Sequence, residues 1–190
     1  MMGGQLSFFS AAARAASPQD VDGLLCGPGQ IVRQGALARV SVVVDAGRAP
    51  PLSFALRDAG LATDTAPAPG GQLSVRTAFD QALAGVAQAW SGGGGKRAPA
   101  GLVLDGPRLR FWALACGAKG PGGYAFALGP QDDAVWPAVG AALAAAGLTA
   151  VFVGPRADGP AYRVTGVRRL ERLRELVGDR PEGVAPDLWP

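Results

Sequence analysis

The 190 residues contain no histidine. That removes the commonest general base and the commonest metal ligand. Cysteine is scarce: Cys26 and Cys116 stand far apart in the chain, and two thiols without histidine exclude a plausible zinc centre and a disulfide scaffold. Asparagine is missing altogether, Ile31 is the one isoleucine, and Lys96 and Lys119 are the only lysines, against sixteen arginines. This Arg-for-Lys, Ala/Gly/Pro bias reads as GC-rich coding. The basic character is therefore weak evidence for nucleic acid, and the net charge is only +3, spread evenly along the chain. No apolar run approaches the ~18 residues of a membrane span. What is abundant is glycine (29) and proline (16) in a chain that is 48% hydrophobic and 17% charged. Such a composition is globular and rich in turns.

Residues 1–17 carry one arginine and a small apolar cluster, Leu6, Phe8 and Phe9. A secretory signal needs a more basic start and a longer apolar core. The segment reads as a mobile leader, with a targeting peptide as the alternative, and the chain as cytoplasmic with reduced, buried thiols. Ser17 and Pro18 suit the start of a helix over 18–27. Strands are expected at 30–34 and 38–45, a helix at 50–59 ended by Gly60, strands at 61–65 and 72–79, and a helix at 80–90. Residues 91–107 open on Ser-Gly-Gly-Gly-Gly-Lys-Arg and read as a flexible linker. Gly92–Gly95 before Lys96 lacks the GxxxxGK[ST] spacing of a phosphate loop. Beyond it come a helix at 109–117, a strand at 123–128, an Ala-rich helix at 133–146, strands at 148–153 and 161–167, and a helix at 168–177. The Arg/Glu pattern of this last helix suits a solvated face. A Pro-punctuated tail, 179–190, closes the chain. The four tryptophans suit packing roles.

The halves resemble each other. Gly23-Leu24-Leu25-Cys26-Gly27 aligns with Ala113-Leu114-Ala115-Cys116-Gly117, and Ala55–Leu61 aligns with Ala142–Leu148 at nearly the same spacing. The order of elements repeats too. An internal duplication is expected: a first repeat at 18–90, a second at 108–178. Gly23 and Gly27, and Ala113 and Gly117, stand four apart, so the two opening helices can approach closely.

Val21–Ile31 and Trp112–Lys119, with the similar strand–turn–strand–helix ending over 148–177, resemble the LAGLIDADG homing endonucleases. The resemblance implies an α+β fold: two tandem repeats forming a pseudo-two-fold saddle of two antiparallel sheets backed by helices. It also implies double-stranded DNA as partner and a monomeric protein. The chain departs from the family where each motif helix should end in a metal-holding acid. Pro28 stands at one position, and Ala118, or Lys119 if the alignment slips by one, at the other. Asp22 and Asp105 lie too early to replace them. The second repeat also lacks a recognisable first strand between 117 and 123. The resulting expectation is a non-enzymatic, regulatory DNA-binding protein without cofactor, similar to the degenerate members found in bacterial sporulation-type transcription regulators. A protein-interaction or structural module of the same fold is the alternative.

Strand alternation places Arg39, Ser41, Val43 and Asp45 on one face. Ser74 and Arg76 share another face, as do Arg163 and Thr165, and Thr63 and Thr65. The candidate DNA-contacting residues are Arg33, Arg39, Ser41, Thr63, Arg76, Arg163 and Thr165, with Lys96 and Arg97 as possible additions. The same side chains equally suit an ordinary solvated sheet.

Overall fold

A computed structural model describes residues 10–12, 14–92, 94–154 and 159–190. Its elements in chain order are α1 (Asp22–Cys26), β1 (Gln30–Gln34), β2 (Leu37–Val44), α2 (Ala49–Asp58), β3 (Thr63–Pro67), β4 (Leu73–Thr77), α3 (Ala84–Trp90), β5 (Ser91–Gly92), β6 (Gly95–Lys96), α4 (Gly106–Cys116), β7 (Gly117–Gly120), β8 (Gly123–Ala127), α5 (Trp136–Ala145), β9 (Ala150–Val153), β10 (Ala161–Thr165) and α6 (Val167–Val177). Two four-stranded antiparallel sheets result, ordered β1-β2-β4-β3 and β7-β8-β10-β9. Strand order is the same in both halves, as the parallel order of sequence elements anticipates.

The centre is the pair α1 and α4. Asp105 caps α4 by accepting from the Arg108 amide, with Pro107 in the first turn. The helices touch backbone to backbone: a Cβ on Gly23 would lie 1.8 Å from the Arg108 carbonyl oxygen. One on Gly27 would meet Trp112 Nε1 at 2.8 Å and Cys116 Sγ at 3.0 Å. Gly117 serves a different contact, making room for the Tyr124 hydroxyl rather than for the partner helix. Trp90 and Trp112 are fully buried. Their indole N–H groups donate to Asp22 Oδ1 (2.7 Å) and to the Ala127 carbonyl (2.9 Å). Trp112 packs on Phe126, with ring centroids 4.5 Å apart. The strand faces turned toward these helices are Val40, Val42 and Val75 in one sheet and Tyr124, Phe126 and Val164 in the other, all buried.

Several expectations need correction. The second sheet does have a first strand: β7 is Gly117-Ala118-Lys119-Gly120, paired along its length with β8. Its composition carries no strand propensity, so the signal is tertiary: hydrogen bonds to β8 hold a segment that would not be extended alone. The expected helix over 18–27 is a 3-10 turn at Pro18–Val21 followed by one turn and a half of α-helix. The glycine-rich start of the linker is a small hairpin in which Ser91 opposes Lys96. Residues 1–9 of the expected leader lie outside the described residues. The described remainder is fastened: the Ala11 amide donates to the Leu176 carbonyl at 2.7 Å, and Arg14 bonds both Asp20 and Asp105. The C-terminal tail is also docked. Trp189 is buried, stacks on the Arg110 guanidinium and donates to the Gly178 carbonyl. Among the described residues no helix is long and apolar enough to cross a membrane.

Candidate nucleic-acid interface

Each sheet has one face against the helices and one turned away. In the first sheet the two-residue turn at Gly35–Ala36 fixes the register, so that Gln34 opposes Leu37, Val32 opposes Arg39 and Gln30 opposes Ser41. On the other side of β2, Ser41 opposes Arg76 and Val43 opposes Ser74, and Arg76 in turn opposes Asp64 on β3. Residues directly opposite share a face. The averted face therefore carries Arg39, Ser41, Ser74 and Arg76 together, bordered by Gln30 and Gln34 on β1 and Asp64 on β3.

The two arginines are held differently. Arg39 lies over the Phe79 ring, its guanidinium carbon 4.9 Å from the centroid. Arg76 is ion-paired with Asp64. Arg163 and Thr165 lie on the averted face of the second sheet, opposite Ala125 and Gly123. Arg39, Arg76 and Arg163 share one feature: each has its Nε atom out of solvent with no hydrogen-bond partner among the described residues. An unpaired donor of this kind normally costs free energy.

Two candidates lie elsewhere. Arg33 opposes Ala38, a core residue, so it sits on the helix side of an edge strand and not beside Arg39. Thr63 opposes Thr77, also on the helix side, where its hydroxyl accepts from Arg57 at 3.2 Å. Both errors come from register: alternation within one strand does not tell which set faces the core until the pairing is known. The same register is the signal that would have found Gln30, Gln34 and Asp64. Phe79 lies past the end of β4, and no local pattern marks it as the rest for Arg39.

Lys96 is no exposed linker cation. Its side chain is 5% exposed, its ammonium donates to the Gly27 and Gly29 carbonyls at 2.8 Å each, and it pairs with Asp132 at 2.6 Å. Gln30 also reaches Asp132, at 3.4 Å. At the end of α4 the Arg48 guanidinium donates to the carbonyls of Ala113, Leu114 and Gly117. Both central helices thus end on a buried cation, which their dipoles favour. A divalent ion of the kind the family resemblance implies does not fit there: the end carbonyls are engaged by cations, and among the described residues no cluster of three acidic or thiol ligands forms. Burial pushes the Cys26 thiol up, and the Cys116 thiol up to about 12, so neither is a nucleophile at neutral pH.

No family model matches the chain, and no curated protein matches it. Among solved structures it is similar to the homing endonuclease I-WcaI bound to its DNA recognition sequence. The TM-score is 0.61 at 11% identity, covering 93% of this chain and 89% of that one. The expectation of a non-enzyme is corrected by this likeness, because the matched structure is an enzyme's. At this identity the likeness is one of architecture: the chain has the α+β fold of a homing endonuclease.

Proposed function

We propose that the chain binds double-stranded DNA across the helix-averted faces of its two sheets, with Arg39, Arg76 and Arg163 on the phosphates and Ser41, Ser74 and Thr165 beside them. The observation that carries this reading is the trio of arginines on the averted faces, two on one sheet and one on the other. Phosphate oxygens would accept from the terminal guanidinium nitrogens of these side chains. The solved structure of similar fold is a complex with DNA, which supports DNA as the partner. The equal strand orders support tandem repeats at 18–90 and 108–178, so that one monomer supplies both sheets.

The test is a fluorescence-anisotropy titration of a mixed-sequence duplex at several salt concentrations. Three neutralised phosphates give a slope of log K against log salt of about −3, with micromolar binding near physiological salt. Changing all three arginines to alanine should abolish both the binding and the slope. Absence of binding at low salt selects the protein-interaction module instead.

A further inference from the structure

The two averted faces differ in chemistry. The first presents arginine, glutamine, serine and an aspartate beside the exposed side chains of Val32, Leu37 and Val43. The second is nearly bare. Besides Arg163 and Thr165, its register places only glycine, alanine and valine there: Ala118 and Ala125 oppose each other, Ala127 opposes Ala161, and Val151 opposes Arg163. None of these is buried, and Val151 is 60% exposed. No strand of this sheet contains an acidic residue.

Resting on the DNA reading above, we infer that the protein reads its duplex asymmetrically: by hydrogen bonds together with apolar contacts under the first sheet, and mainly by thymine 5-methyl groups under the second. The argument has three steps. Base-edge hydrogen bonds need side chains that donate or accept, and the second face offers only Arg163 and Thr165. Alanine, valine and the threonine methyl do contact the thymine methyl, which projects into the major groove. Side chains this short also keep the sheet surface low, so its backbone can approach the groove closely. Arg163 supplies the charge complementarity that commits this apolar face to a polyanion. The face also continues the first sheet's, being the averted side of a sheet with the same strand order.

The experiment uses the full chain and a short duplex with one A·T-rich half and one mixed half, in forms carrying thymidine or deoxyuridine. Uracil lacks only the methyl. Each methyl buried against alanine or valine is worth about a twofold to fourfold change in affinity. Deoxyuridine throughout the A·T half should therefore weaken binding several-fold. The same exchange in the mixed half, where hydrogen bonds from the first sheet also hold the duplex, should change affinity less. The paired variant Ala125→Ser with Val151→Ser should still bind but lose the thymine–uracil difference, whereas Arg39→Ala should weaken both duplexes equally. Duplex binding with equal affinity for the two forms overturns the inference and leaves the DNA reading standing. No duplex binding at low salt removes both. Dimerisation abolished by Val151→Asp, with no thymine–uracil difference, would assign the bare face to a second copy of the chain and also overturn it.

Discussion

Gly23 and Arg108 are in backbone contact where α1 meets α4: no side chain fits between the first residues of α1 and the first turn of α4. Gly23→Ala should therefore destabilise the fold at or above the upper end of the ~1–3 kcal/mol typical of overpacking. The Arg108 carbonyl is backbone and can retreat only by separating the helices. Gly85, exposed on α3 with open space around its Cα, is the internal control. Gly85→Ala should stabilise by roughly 0.5–1 kcal/mol. Urea denaturation of both variants measures the contrast, and equal effects would show that the helices do not pack this closely.

Lys96 and Asp132 join the inter-sheet hairpin to the loop after β8, with side chains only 5% and 11% exposed. Removing one partner leaves the other charged and out of water. Lys96→Met or Asp132→Leu alone should cost about 3–5 kcal/mol, and the double change much less than the sum. A double-mutant cycle in urea reads the coupling. Additive losses would mean the two charges do not meet in solution.

These two relationships also show what the sequence discloses. Gly23 is legible because small residues at a spacing of four recur in both halves. Lys96 is not, because a Gly-rich stretch predicts a loose connection and nothing local says that its lysine will turn back onto the carbonyls of Gly27 and Gly29. The same division runs through the sheets. Val40, Val42 and Arg39 alternate clearly, so β2 and its averted face are readable. β7 is invisible, since Gly117-Ala118-Lys119-Gly120 becomes a strand only through β8. Thr63 and Arg33 turn out on the helix side because pairing register, not alternation, decides which side meets the helices.

Asp20 is fully buried and accepts two hydrogen bonds from Arg14 and two from Ser17. Burial alone would raise its pKa, but the Arg14 guanidinium and the Ser17 amide outweigh it and hold the carboxyl below its ordinary value. The folded pKa is depressed, so the stabilisation is complete above the unfolded value near 3.9 and is lost as pH falls through the folded one. The loss is about 1.4 kcal/mol per pH unit between the two values. Asp22 works oppositely, since burial raises its pKa. The comparison must therefore be wild type against Asp20→Asn at each pH. The gap between them should be wide at pH 7 and shrink progressively as pH falls below about 3.9. A gap independent of pH would mean that Arg14 does not hold an ionised carboxylate.

The pairing of Arg76 with Asp64 makes the first sheet's two arginines unequal. Arg39 rests on an aromatic ring, while Arg76 shares its charge with a carboxylate on the same face. A phosphate approaching Arg76 meets Asp64 as well. Arg39→Ala should therefore weaken duplex binding more than Arg76→Ala. Asp64→Asn frees the second guanidinium and removes the only acid in the first sheet's strands. It should tighten binding at low salt and steepen the salt slope by about 0.9, the value for one further phosphate contact. In the Asp64→Asn background Arg76→Ala should cost as much as Arg39→Ala does. Titrations of the five proteins over a salt series decide it. If Asp64→Asn leaves affinity and slope unchanged, Arg76 does not face the phosphates, and the contact surface must be sought away from β4.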